Sequence, residues 1–280
     1  MKPMKAPTEP IEDELLEKLP YPLCGSPKLD GFRCLVVNGI PMTSSMKPFQ
    51  NKYVNEVFKD YPELTGLDGE LLVGAPNSPD AFHNSSGPLR RFDGKPDFKF
   101  YVFDDAAGNG AYCDRWIDRQ KPTYPQFVSI LEQKLLKNAD DVLNYEREML
   151  EDGYEGVMIR SLSGRYKQGR CTFNDLNIFK RKPFVDCDAV VVDILEAYEQ
   201  DGETAKGTIG AFALYSPLWE KTFAAAPGKG FTAEMKLNIW QNRHTIVASR
   251  EVVTVKYQMH GSREAPRLPS VTKIRPEFDR

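Results

Sequence analysis

Lys28-Leu29-Asp30-Gly31-Phe32-Arg33 is the stretch of this sequence best suited to covalent chemistry. A lysine attacks phosphorus only through its neutral amine, and the free side chain has a pKa of about 10.4. Neighbouring cations and a bound metal can depress that value, which is how buried lysines become nucleophiles. A turn at Asp30-Gly31 would return Arg33 to the same phosphate. Taken alone, K-x-D-G-x-R also fits a plain β-turn between strands.

Four further stretches follow in order. Leu67-Asp68-Gly69-Glu70 opens a strand with a carboxylate, and Phe100-Tyr101-Val102-Phe103-Asp104 is an aromatic-rich strand. Asp152-Gly153-Tyr154-Glu155-Gly156-Val157 sets a second carboxylate before another strand. Ile178-Phe179-Lys180-Arg181-Lys182 carries two lysines two apart, on one face of an extended chain. Singly, Phe103 reads as a core aromatic, Glu70 and Glu155 as exposed acids, and Lys180 and Lys182 as surface lysines. Their co-occurrence downstream of Lys28 changes that reading.

The ordered set resembles the nucleotidyltransferase motifs of the superfamily of ATP-dependent DNA ligases, RNA ligases and mRNA-capping guanylyltransferases. The spacing is similar to that of the small viral and bacteriophage DNA ligases, from about Cys24 to the last residue. The resemblance implies an adenylylated lysine at Lys28, with Lys180 and Lys182 holding the α-phosphate. It implies that Arg33 lies near the ribose and the nick phosphate, that Phe103 stacks on adenine, and that Glu70 and Glu155 support Mg²⁺ or Mn²⁺. Arg275, Asp279 and Arg280 match a terminal motif that orients the pyrophosphate of ATP. ATP and nicked duplex DNA are the implied partners, with Arg33, Arg165, Lys167 and Arg170 on the DNA and the protein acting as a monomer.

Two positions depart from the pattern. Ser26, followed by Pro27 in the implied ATP site, stands where many relatives carry an acid or amide two before the lysine; a backbone carbonyl there could serve adenine instead. Ser44, in Thr43-Ser44-Ser45-Met46-Lys47-Pro48, stands where an arginine is expected. An RNA ligase and a capping guanylyltransferase are the rivals within the superfamily, and a non-catalytic nucleic-acid-binding protein is the rival outside it. The ending Arg267 to Arg280 tells against an RNA ligase, and the intact set of lysines and acids tells against a non-catalytic role.

These residues need elements to position them. Strand-like runs occur at Cys34–Val37, Glu70–Val73, Lys99–Phe103, Val157–Arg160, Ala189–Leu195 and Val252–Tyr257. Helices are expected over about Asp114–Lys137, with breaks possible at Pro122 and Pro125, over about Asp140–Glu151 before Gly153, and from Phe231 through Trp240. Pro183 marks a boundary between an α+β domain over residues 1–183 and a strand-rich domain over 184–280. The resemblance makes the first a nucleotidyltransferase (adenylation) domain of antiparallel sheets and helices, and the second an OB-fold β-barrel.

The net charge of −3 is a poor match for nucleic acid, but its distribution is uneven. Between Arg160 and Lys182 seven basic residues face one acid, Asp175. The bland reading of such a run is a solvated face. Five dispersed cysteines without a C-x-x-C pair read as free thiols, and they exclude the usual zinc spacings. There is no apolar run of about 20 residues to span a bilayer and no apolar signal core, so a cytoplasmic setting is expected, bacterial or in a phage-infected host.

Overall fold

A computed structural model describes residues 1–275 except 121, 220 and 263. The chain divides into two compact units, Met1–Lys182 and Pro183–Arg280. The expected sites Asp279 and Arg280 lie outside the described residues.

Two sheets build the first unit. One has five strands in the order Ile40–Met42, Phe32–Val37, Leu67–Val73, Phe98–Asp105 and Val128–Ile130, antiparallel except for the last pair. Phe58 and Val54, from the helix Lys52–Lys59, pack under it against Phe98, Phe100 and Cys34. The other sheet runs Ile178–Arg181, Val157–Ser161, Leu23–Pro27 and Lys134–Leu136, all antiparallel.

The helix Ala139–Glu151 backs this second sheet. Asn138 caps it by accepting from the Asp141 amide at 2.8 Å, and two acids in the first turn suit the positive end of its dipole. Val142, Tyr145 and Met149 repeat at helical spacing and pack on Leu23, Ile159 and Phe179. Each such side chain, once buried, stabilises the fold by about 1.5–3 kcal/mol. Gly153, at φ +91°, ends the helix.

The expected helix over Asp114–Lys137 is corrected by the structure. It spans Tyr112–Arg119 only, and the chain then forms the short strands Val128–Ile130 and Lys134–Leu136. Pro122 and Pro125 cannot donate helical hydrogen bonds, and Val128 is stabilised instead by pairing with Phe100.

The second unit is a closed barrel of five strands: Val185–Tyr198, Ala205–Tyr215, Phe223–Pro227, Arg267–Ile274 and Val252–Gln258. The long first strand closes it. Its first half pairs with Val252–Tyr257 and its second half with Ala205–Tyr215, and bulges near Val191 and Leu195 provide the bend. Val191, Phe212, Leu214, Val253, Val255 and Val271 fill the interior. The helix Ala233–Gln241 starts at Thr232, whose hydroxyl accepts from the Met235 amide. Among the described residues no helix is long and apolar enough to cross a membrane, and all five cysteines are free.

Candidate active site

Strand register brings the reactive residues together. Pro27 pairs with Val157, and Val157 pairs with Arg181, so three strand ends lie side by side. Lys28 begins where the first strand stops, and its amide donates to the Gly156 carbonyl at 2.8 Å. Glu155, 3% exposed, therefore meets both Lys28 Nζ and Lys182 Nζ, the latter at 3.2 Å. One residue along, Ser26, Met158 and Lys180 are aligned across the same strands. All three line one cleft.

Gly156 has to be glycine for this junction to close. Its φ is +146°, and a Cβ there would lie 2.2 Å from the Arg181 carbonyl oxygen. Gly31 is equally confined, because a Cβ would fall 2.6 Å from Leu72 and 2.7 Å from the Leu71 oxygen. The loop after Lys28 thus presses directly on the Leu67–Val73 strand.

That strand supplies the opposite wall. Arg33 and Glu70 are register partners. Arg33 donates to both oxygens of the fully buried Asp68, at 2.6 and 2.5 Å, and to the Met4 carbonyl at 2.7 Å. Tyr166 donates to the same carboxylate at 2.5 Å. This fixes the arginine, whose guanidinium carbon lies 4.7 Å from the centre of the Phe103 ring. Phe103 is buried, and its carbonyl accepts from Tyr112 and Arg119. The next residue, Asp104, takes Arg115 at 2.9 Å and Arg119 at 3.6 Å.

The cleft has a volume of about 220 Å³ and is lined by six cationic side chains, Lys5, Lys28, Arg33, Arg160, Arg170 and Lys180, but one carboxylate, Glu70. Burial pushes the Glu70 carboxyl up to about 7, against the opposing pull of Arg33 and Lys28. Burial also lowers the Lys180 ammonium, and the charges of Lys182, Lys28 and Arg170 add to the effect. A cavity so charged favours a polyanion.

Ser26, Pro27, Lys28, Arg33, Glu70, Phe103, Lys180 and Arg170 meet at this cleft. Glu155 and Lys182 touch Lys28 directly or through each other. Arg165 and Lys167 are not among the lining residues. Lys167 is tied to Asp175 at 2.6 Å. Arg275 belongs to the barrel unit, where it pairs with Asp188 at 2.9 Å.

Three contributors escaped sequence reasoning. Lys5 reaches the cleft from the short strand Met4–Lys5, which pairs with Gly169–Arg170, and its ammonium donates to the Ser44 carbonyl at 2.8 Å. No local pattern announces a pairing across more than 160 residues. Asp68 is the acid that holds Arg33; it lies within the quoted Leu67–Glu70 stretch and two residues from Glu70, on the same face. Arg160, counted in the basic run, shares the inward face of its strand with Met158.

No family model matches the chain. A DNA ligase of African swine fever virus is 30% identical over 67 residues, a match covering 24% of this chain and 16% of the relative. The chain thus spans only about a sixth of the curated relatives it matches. A crystal structure of Chlorella virus DNA ligase-adenylate is 27% identical, covers 99% of this chain and 98% of that one, and superposes with a TM-score of 0.55. Over its whole length this chain resembles a viral DNA ligase. A Lig E DNA ligase structure, 18% identical, shares the fold with a TM-score of 0.73 over 98% of both chains. The Chlorella virus protein is described as a ligase-adenylate.

Proposed function

We propose that this chain is an ATP-dependent DNA ligase that seals nicks in duplex DNA through a lysyl-AMP and then a DNA-adenylate. The observation that carries the reading is the position of Lys28 at a cation-lined cleft, in contact with Glu155 and flanked by Lys180, Glu70 and Phe103.

In the first step Lys28 Nζ forms a bond to the α-phosphorus of ATP and pyrophosphate leaves. Lys180, on the strand Ile178–Arg181, and Lys182, just beyond its end, offset the charge that builds on the phosphate oxygens. The nucleophile must first lose a proton, and the Glu155 carboxylate lies against it. Register fixes the backbone of Lys28 at the strand junction, and holding a nucleophile in line can supply about 7–11 kcal/mol of a barrier. In the second step the 5′-phosphate of a nick attacks the AMP phosphorus and releases the lysine. In the third the 3′-hydroxyl attacks the activated phosphate and AMP departs.

Magnesium is the metal this reading assigns. Among the described residues no cluster of three or more metal-ligating side chains exists. Mg²⁺ usually takes one or two carboxylates and completes its shell with water and substrate phosphates. Glu70 and Glu155 fit that donor set, and a bound Mg²⁺ would neutralise charge on the nucleotide. The five-stranded barrel is read as an OB-fold, and Arg275, Asp279 and Arg280 are assigned to the pyrophosphate of ATP. Arg33, Arg165 and Arg170 are assigned to backbone phosphates, since a ligase must be nearly indifferent to sequence.

Incubation with ATP or GTP labelled at the α-phosphate, followed by denaturation, tests nucleotide and covalency together. Label retained from ATP alone is expected. Label from GTP alone would favour a capping enzyme, and a joined nick only when its strands are RNA would favour an RNA ligase.

A further inference from the structure

The helix Lys52–Lys59 has two unlike faces. Val54 and Phe58 pack beneath the five-stranded sheet with Cys34 and Leu71, whereas the alternate residues Arg33 and Glu70 face the Lys28 cleft on its other side. The outward face of the helix therefore lies behind the sheet, away from the reacting residues. It lines an open groove of about 750 Å³ together with Phe92 and three cations, Lys52, Lys59 and Arg90, but one carboxylate, Glu56. Glu56 approaches Lys52 at 3.7 Å. Lys59 and Arg90 have no carboxylate partner among the described residues.

Phe92 is 67% exposed. A single exposed aromatic on a loose loop is ordinary. Here the backbone that carries it is tied down. Asn51, fully buried, directs its amide nitrogen to the carbonyls of Pro88, Arg91 and Gly94 at 3.3, 3.1 and 3.3 Å. The Lys52 amide donates to the Phe92 carbonyl itself at 2.9 Å. Arg90 is also placed: its guanidinium carbon lies 5.3 Å from the centre of the Phe32 ring, which stacks on Phe82 at 5.1 Å. An aromatic ring open to water is thus carried on fixed backbone among cations.

A duplex offers phosphates but keeps its base faces inside its own stack. An unpaired strand offers both, and any base can stack on an aromatic ring while basic side chains follow the backbone. An acidic peptide would match the cations and leave the flat ring without a planar partner. We propose that this groove binds a segment of single-stranded nucleic acid, with one base stacked on Phe92 and the flanking phosphates on Lys59 and Arg90. It is a second site, separate from the Lys28 cleft, and it suits the unpaired strand of gapped or frayed DNA. The site stands on its own geometry and goes beyond the ligase reading, which its failure would leave intact.

The test is binding of a short fluorescent oligothymidylate to the full chain, followed by anisotropy, with photocrosslinking of the same strand carrying 5-iodouracil. Phe92→Ala should raise Kd by about 5- to 150-fold, the worth of one stacked base, and Phe92→Trp should restore binding. Lys59→Gln and Arg90→Gln should each flatten the slope of log K against log salt by about 0.7. Peptide mapping should place the crosslink on Phe92. Sealing of a nick in fully paired duplex should be unchanged in Phe92→Ala. The inference is overturned by a Kd indifferent to Phe92→Ala or by a crosslink elsewhere. It is overturned equally if polyglutamate displaces the strand as well as unlabelled oligothymidylate does, which would make the groove a site for acidic peptides. Sealing of paired nicks that falls in step with strand binding would put Phe92 on the duplex path and also overturn it. Failure of Lys28 to take label from ATP bears on the ligase reading alone.

Discussion

Lys28 and Glu155 are in contact, and the account assigns them unequal tasks. Lys28→Ala should abolish the protein–AMP adduct and the joining of an ordinary nick, while joining of a nick already carrying 5′-AMP survives in part. Gel assays of both substrates check this; an adduct on the variant would remove Lys28 from the mechanism. Glu70 gives a pH signature. Its carboxyl is raised from the ordinary 4.5 to about 7 by burial, so the folded protein holds a proton there that the unfolded chain has lost. The folded state is therefore favoured most below pH 4.5 and loses that contribution as pH rises through about 7. Relative to Glu70→Gln, wild-type protein should become less resistant to urea between pH 5 and pH 8, in the absence of nucleotide and metal. Parallel curves for the two proteins would show that the burial of Glu70 carries no such proton.

The junction of three strands is the element that makes the site. Gly156→Ala would force a Cβ to within 2.2 Å of the Arg181 carbonyl, so the strands must part and carry Glu155 away from Lys28 and Lys182. A destabilisation of about 1–3 kcal/mol is expected, with a loss of adenylylation that persists at temperatures where the variant remains folded. A melting curve beside a labelling time course checks both. Much of this architecture was legible in the sequence because the strand-like runs and the glycine stop at Gly153 are local signals. The helix after Tyr112 was overextended, since charged and apolar residues beyond Pro125 keep a helical rhythm that pairing with Phe100 overrides. Placement of Lys5 beside Arg170, and of Arg33 on Asp68, depends on contacts between distant segments, which no local pattern encodes. Arg160 could have been assigned inward from its period-two relation to Met158, but the surrounding run of charges argued for solvent.

At the scale of the molecule, the proposed function requires an acidic protein to bind a polyanion through a few cations. Lys167 is held by Asp175, whereas Arg165 and Arg170 are exposed, so the latter pair should carry the salt dependence. Replacing both with Ala should flatten the slope of log K against log salt by about 0.9 per lost contact, similarly for nicks of different sequence. Lys167→Ala should change the slope less; the reverse order would move the DNA path. In the barrel unit, Arg275 pairs with a half-exposed Asp188, and such pairs contribute little to stability, about 0–1 kcal/mol. Arg275→Ala should therefore leave the melting temperature nearly unchanged while slowing adenylylation more than sealing of a pre-adenylylated nick.

The central claim is that AMP passes through Lys28 to DNA. Protein labelled with α-labelled ATP and freed of nucleotide should be digested and the modified peptide mapped, and the intact adduct should be mixed with a nicked duplex bearing a 5′-phosphate. The account predicts label on Lys28 that is discharged to the 5′-phosphate and then released as AMP as the nick closes. Label on another residue, or a Lys28 adduct that a 5′-phosphorylated nick does not discharge, would contradict it.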